Sequence, residues 1–146
     1  MQEQSIIEIR ELHQFFQDWF TGAIAQTEEN FSRVTAGMSE HFALISPDGA
    51  LAEYPTVIDW LRGGYGSRPR FRLWTDKIVV RQQIGELALA TYEEWQELDG
   101  EINARLSTAL LRAKVGAPNG VEWLHVHETW LPRVKMVNAE RLMLNG

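Results

Sequence analysis

The sequence predicts an α+β fold in which helices come first and a strongly curved antiparallel sheet of long strands follows. Helical patterns dominate residues 1–64, whereas the remainder contains four long apolar and β-branched runs separated by turn signals. Helices that are segregated from antiparallel hairpins in this way are typical of α+β domains. Strands of about 11–14 residues exceed the usual length of about 5–6, so the sheet must bend to stay over one core.

The first predicted helix covers residues 5–26. Ser5 and Glu8 have the spacing of a capping box, which would place the helix start at Ser5. Apolar residues recur every three or four positions, so one face of the helix must lie on a large apolar surface. These residues are Ile6, Ile9, Leu12, Phe16, Trp19, Phe20, Ala23 and Ile24.

Short elements follow the first helix. A second helix is predicted over 28–36, with Phe31 and Val34 facing inward. The segment 41–46 predicts a strand, and the Pro-Asp-Gly sequence after it favours a turn into a brief return strand at 51–54. Pro55 then begins a third helix, since proline is well tolerated in the first helical turn.

Four long strands complete the predicted domain. The sequence Asp99-Gly100 is a strong hairpin signal, while Gly85 and Pro118-Asn119-Gly120 mark the other two turns. The strands between these turns cover 70–83, 85–98, 101–114 and 120–132.

Length and composition predict one domain over residues 1–132. A chain of 146 residues usually forms a single domain. The remaining residues, 133–146, are rich in apolar side chains, and we expect this tail to pack on the domain or on a partner subunit. The absence of cysteine excludes disulfides and thiolate chemistry, and it fits a reducing cytoplasm.

Charge and hydropathy exclude two classes of partner. The net charge is −6, and an acidic surface repels nucleic-acid backbones. No stretch approaches the roughly 20 apolar residues of a membrane span. Neither a dinucleotide fingerprint nor a helical HExxH motif is present, so we expect no cofactor and no metal site.

The element order resembles the nuclear transport factor 2-like superfamily, which includes SnoaL-like cyclases, ketosteroid isomerases and kinase association domains. The resemblance lies in the strand–turn–strand–helix unit at 41–64, in GELALATYEEW at 85–95, and in the final strand WLHVHETWLP at 123–132. Trp123, Val126 and His127 match the association-domain pattern of that final strand. The resemblance implies helices on the concave side of a cone-like sheet, a pocket between them, and a homodimer.

Alternation along the strands assigns candidate pocket residues. Glu128 and Trp130 should share the inner face with Leu124 and Val126, whereas Trp123, His125, His127 and Thr129 should face outward and form the dimer contact. On the neighbouring strands, Tyr92, Glu94 and Arg105 should point inward, with Tyr54 or Trp60 near the mouth. We therefore expect the ligand-binding residues to be Tyr92, Glu94, Arg105, Glu128, Trp130, Tyr54 and Trp60.

Three functions are compatible with this prediction. The first is a small-molecule-binding domain whose apolar pocket carries a few polar groups. The second is a SnoaL-like isomerase, cyclase or dehydratase in which Glu128 or Glu94 transfers a proton and Tyr92 donates to the developing enolate. The third is an oligomerisation module, since fold alone does not decide function.

Overall fold

The computed structural model describes residues 1–132 and places three helices against a six-stranded sheet. The tail prediction for 133–146 lies outside the described residues. Within them, no helix is both long and apolar enough to cross a membrane. The helices are α1 Gln2–Thr21, α2 Glu28–Thr35 and α3 Tyr54–Gly63. The strands are β1 Met38–Ile45, β2 Leu51–Glu53, β3 Arg72–Ile84, β4 Leu87–Leu98, β5 Glu101–Ala113 and β6 Val121–Trp130.

The sheet is open and mixed, with the strand order β2-β1-β6-β5-β4-β3. Four neighbouring pairs are antiparallel, as predicted, but β1 and β6 run parallel. The parallel pair arises because the chain leaves β1 through β2 and α3, crosses to the far edge at β3, and returns through three hairpins. The α+β fold with helices against a curved sheet is confirmed.

The first helix begins and ends earlier than predicted. Ser5 lies inside α1, where its hydroxyl donates to the Met1 carbonyl at 2.8 Å, so the predicted capping box is wrong. The Glu8 side chain is engaged elsewhere and does not return to the helix start. Gly22 ends the helix in the left-handed conformation at φ 78°, which glycine adopts without steric cost. The other helices match the prediction closely, with Thr27 capping α2.

Register shifts bend the long strands and decide which side chains point inward. In the β5–β6 pair, Leu110 faces His125 but Leu111 faces Trp123, so Leu124 is an extra residue in β6. The shift turns Trp123 to the inner face, where it is 2% exposed. The predicted outward position of Trp123 is therefore wrong, because strict alternation cannot detect a bulge.

The core lies between the helices and the inner face of the sheet. Trp19 is buried within the helical layer, where it packs against the rings of Phe15, Phe31 and Tyr65. Its indole nitrogen donates to the Leu61 carbonyl at 2.8 Å. Phe16 and Phe20 point from the same helix towards the sheet side. Trp19 thus joins α1 to α2, α3 and the segment that follows α3.

Replacing Trp19 with alanine should destabilise the domain by about 3–5 kcal/mol, the usual range for removing a buried aromatic side chain. Chemical denaturation would measure the change. Trp60→Ala provides a matched control, because Trp60 is 56% exposed. We expect the control to change the free energy of unfolding by less than about 1 kcal/mol. Equal effects of the two substitutions would contradict the assigned packing of Trp19.

Candidate ligand pocket

A cavity of about 140 Å³ lies between the inner face of the sheet and the helices. Most of its wall is apolar, with side chains from α1, α3, β1 and β6. The polar side chains come mainly from the central strands. The cavity is lined by Leu12, His13, Phe16, Phe20, Met38, Phe42, Leu44, Val57, Trp60, Leu61, Arg68, Phe71, Leu73, Tyr92, Glu94, Gln96, Arg105, Trp123, Val126 and Glu128.

Five of the seven predicted ligand-binding residues line this cavity. Tyr92, Glu94, Arg105 and Glu128 belong to the polar part of its wall, and the half-exposed Trp60 of α3 also lines it. The strand register explains the grouping. Tyr92 lies opposite Ser107, which lies opposite Glu128, and Glu94 lies opposite Arg105.

The other two predicted residues lie outside the cavity wall. Trp130 is 41% exposed, and its indole nitrogen donates to the Asp48 carboxylate at 3.1 Å. It still contacts the site indirectly, since the Arg105 guanidinium lies 4.9 Å from the centre of its ring. Tyr54 is half-buried and packs against the main core as the first residue of α3. Trp130 was predicted too deep, because alternation gives a face but not a depth. Tyr54 was expected only near the mouth, as an alternative to Trp60, and Trp60 is the one of the two that lines the cavity.

His13 and Glu94 form a buried hydrogen-bonded pair at the pocket wall. His13 Nδ1 donates to the Ile9 carbonyl at 2.7 Å, and Nε2 lies 2.9 Å from Glu94 Oε1. Burial alone would raise the pKa of Glu94, but the hydrogen bond and charge of His13, followed by Arg105 and Gln96, hold it below its ordinary value. Glu94 is therefore ionised at neutral pH. Both ring nitrogens of His13 therefore lie within hydrogen-bond distance of oxygen acceptors, the Ile9 carbonyl and the Glu94 carboxylate.

Arg105 lies between the two pocket carboxylates without a short contact to either. Its Nε is 3.6 Å from Glu94 Oε2, and its Nη1 is 3.5 Å from Glu128 Oε1. Burial, followed by the charge of Glu94, raises the pKa of Glu128 to about 7, although Arg105 opposes the shift. Glu128 thus exists as a mixture of acid and carboxylate near neutrality. A carboxyl group in this state can both give and accept a proton.

Two polar groups near Glu128 lack a hydrogen-bond partner within residues 1–132. The Ser107 hydroxyl and Arg105 Nε are buried without a partner among the described residues. Tyr92 is 2% exposed, and burial, reinforced by the charges of Glu94 and Glu128, raises its pKa well above the ordinary value. Tyr92 is therefore a neutral hydroxyl that can donate. Buried polar groups without partners cost free energy, so they mark positions where a bound polar group would be stabilised.

The paired histidines of β6 lie away from this cavity. His127 is exposed and His125 is half-buried, and neither lines the pocket. Throughout residues 1–132, no group of three histidine, aspartate or glutamate residues is placed to hold a metal ion. The outer-face position of His125 and His127 agrees with the predicted alternation. The alternation fails at Trp123, on the other side of the bulge at Leu124.

Sequence analysis missed three contributors to the pocket. His13 interrupts the apolar stripe of α1 between Leu12 and Phe16, and this polar residue in a buried stripe was the available signal. Trp123 was hidden by the bulge. Arg68 lies in the segment between α3 and β3, where no periodicity assigns a direction.

Comparison with known proteins gives both a family and a fold. Residues 7–132 match the family described as Sucrose-6-phosphate phosphohydrolase C-terminal. Sucrose-phosphatase 1 of Nicotiana tabacum is 28% identical over 127 residues, which are 85% of this chain and 30% of that protein. The chain therefore spans less than a third of the length of this relative.

Solved structures confirm the fold. An NTF-2 like protein of unknown function from Pseudomonas aeruginosa superposes with a TM-score of 0.79 at 23% identity, covering 88% of this chain and 99% of that one. The CaMKII hub of S. rosetta gives a TM-score of 0.60 at 14% identity, covering 73% and 84%. With its match over nearly all of the described residues, the chain belongs to the sucrose-6-phosphate phosphohydrolase C-terminal family, which here has a nuclear transport factor 2-like fold.

Proposed function

We propose that this domain binds a small, largely apolar molecule carrying one or two polar groups. The observation that carries the proposal is the mostly apolar cavity that Glu128, Tyr92 and Arg105 line together. A pocket with a few convergent polar groups is the usual form of a ligand site. The Arg105 guanidinium lines the cavity, and its Nε has no hydrogen-bond partner among the described residues, so it supplies hydrogen-bonding capacity that a polar ligand group would use.

The cavity also limits the size and polarity of the ligand. Its volume of about 140 Å³ is below the roughly 300–1,000 Å³ of pockets for drug-sized molecules. A single six-membered ring is therefore a better match than a disaccharide. A sugar would also bring many hydroxyls into a mostly apolar wall, where each unpaired hydroxyl costs free energy.

Acid–base catalysis is the enzymatic form of this proposal. Glu128 would exchange a proton with a carbon acid, and the neutral Tyr92 hydroxyl would donate to the oxygen on which charge develops. The support is the pKa of about 7 for Glu128, near the value that favours proton transfer in both directions. His13 would act as a positioning residue, since it holds Glu94 ionised beside this carboxyl group.

The raised pKa of Glu128 predicts a pH-dependent stability. Between its ordinary 4.5 and about 7, the folded protein binds more protons than the unfolded chain. Stability should therefore fall as pH rises through this window. Glu128→Gln should remove the penalty and gain about 1–3 kcal/mol over the wild type at pH 8, with little gain at pH 4.5. Urea unfolding of both proteins at several pH values would measure the difference.

Glu94 does not produce the same signal. Its pKa is lowered, so its contribution is lost only as pH falls below the ordinary carboxyl range. A constant difference between wild type and Glu128→Gln from pH 4.5 to 8 would therefore show that Glu128 titrates normally.

Sugar recognition is a second candidate function. It is favoured by the relatives named as sucrose-phosphatases and by the exposed indole of Trp60, which could stack on a sugar ring at the mouth. In this case the sugar would lie over the opening rather than within the apolar cavity. Sucrose and sucrose 6-phosphate are therefore necessary ligands in any binding test.

A cavity-filling substitution tests the binding proposal. Val126 is buried in the pocket wall, and Val126→Phe should abolish binding of a small neutral probe, benzyl alcohol, measured by ligand-observed NMR. Val79→Phe is the matched control, because Val79 lies on β3 away from the cavity and is 39% exposed. Unchanged binding in Val126→Phe would refute an internal site. Binding of sucrose alone, lost in Trp60→Ala, would favour the second candidate.

We also propose that the domain forms a homodimer through the outer face of the sheet. The support is a partly exposed strip beside His125 and His127, in which Leu106 is 40% exposed although it lies on a central strand. Partly exposed apolar surface of this kind suits a protein interface. A cytoplasmic location is proposed alongside, on the absence of cysteine.

Leu106→Glu should convert the dimer to a monomer, because it would bury a charge without a partner at the contact. Sedimentation velocity at micromolar concentration would measure the oligomeric state. Leu51→Glu is the control, since Leu51 is 62% exposed on the edge strand β2. A wild-type monomer, or a Leu106→Glu protein that stays dimeric, would contradict the proposed interface.

A further inference from the structure

Arg68 differs from the other arginine of the pocket in what surrounds its charge. Its guanidinium carbon lies 5.5 Å from the centre of the Phe20 ring and 5.1 Å from that of Phe71. Both rings line the cavity, as Arg68 itself does. Within the part of the chain that the structure describes, no carboxylate lies within ion-pair distance of Arg68, whereas Arg105 lies beside Glu94 and Glu128.

The backbone holds Arg68 in place. Its amide donates to the Phe20 carbonyl at 2.9 Å, and its carbonyl accepts from the Phe71 amide at 3.1 Å. The Gly66 amide donates to the Trp19 carbonyl at 3.0 Å, which ties the same segment to the last turn of α1. The backbone of Arg68 is therefore fixed, and the two aromatic rings beside the guanidinium restrict its side chain, so less conformational freedom is lost when a ligand binds.

The chemistry of this arrangement is that of an oxyanion receptor. Aromatic faces attract a guanidinium through its flat surface and leave the N–H groups at its edge available. Those groups match the two oxygens of a carboxylate or phosphate. Half-burial beside two phenyl rings also removes part of the water that would compete for them.

We propose that Arg68 binds the anionic group of an organic acid whose apolar body enters the cavity. This inference rests on the proposed ligand-binding function and specifies its ligand class. The orientation follows from charge, since the ionised Glu94 and the partly ionised Glu128 repel an anion from the polar wall. The carboxylate or phosphate of the ligand therefore stays at Arg68, and its apolar body packs among the aromatic side chains of the cavity.

Calorimetry with matched probes tests this assignment. Benzoate and phenyl phosphate carry an oxyanion on one ring, and benzyl alcohol is the neutral counterpart of similar size. At constant ionic strength, we expect at least one anionic probe to bind about tenfold or more tightly than benzyl alcohol. Whichever anion binds more tightly distinguishes a carboxylate ligand from a phosphate ligand. Inorganic phosphate and sucrose 6-phosphate carry a phosphate without an aromatic ring. Comparing them with phenyl phosphate shows whether the ring contributes to binding.

Substitution of Arg68 should remove the preference for anions. Arg68→Gln should bind the anionic probe no better than benzyl alcohol, and Arg68→Lys should retain part of the preference. Arg70→Gln is the matched control, because Arg70 is exposed two residues away and does not line the cavity. We expect it to bind every probe as the wild type does.

The failures of the two proposals are distinguishable. If benzyl alcohol binds but neither anion is preferred, or if Arg68→Gln keeps the preference, the role of Arg68 is refuted and the pocket stands. Tight binding of inorganic phosphate without any gain from the ring also refutes the organic-acid assignment. If none of the single-ring probes binds, the proposed internal site fails, and the inference fails with it.

Discussion

The buried carboxylate of Glu8 is the contact on which the position of the first helix depends. It accepts two hydrogen bonds from Arg33 of α2, at 2.6 and 3.1 Å, one from the Trp123 indole of β6 at 2.9 Å, and one from Asn119 at 3.0 Å. A charge buried without such partners would be strongly unfavourable. These contacts join α1, α2, the last hairpin turn and the final strand. They also set the depth of the helix that brings His13 to Glu94.

The pocket contains a second group of buried charges, and its geometry is looser. Glu8 has short contacts on both oxygens, whereas Arg105 lies 3.5 and 3.6 Å from its two carboxylates. Burial and the charge of Glu94 raise the pKa of Glu128, and Arg105 at these distances offsets only part of that shift. The domain thus has one set of buried charges with short contacts that join its elements, and a second set at the pocket wall whose contacts are longer.

The sequence predicted the helices and strands better than it predicted how deeply individual side chains are buried. Alternation placed Tyr92, Glu94, Arg105 and Glu128 on one face, because regular antiparallel strands obey a period of two. The bulge at Leu124 breaks that period, and no residue type announces it. The sequence also indicated the superfamily but not the sucrose-6-phosphate phosphohydrolase C-terminal family, since the motifs considered describe the shared layout rather than one branch.

The parallel pairing of β1 with β6 has a consequence for the order of folding. Met38 lies beside Trp123, so β1 can pair with β6 only after most of the chain between them is in place. The hairpins from β3 to β6 join strands that are neighbours in sequence, so these strands can pair locally. The β1–β2 unit must instead close a long loop to reach β6. During synthesis on a ribosome, the N-terminal helices would therefore be made before the strands that complete the sheet on which they pack.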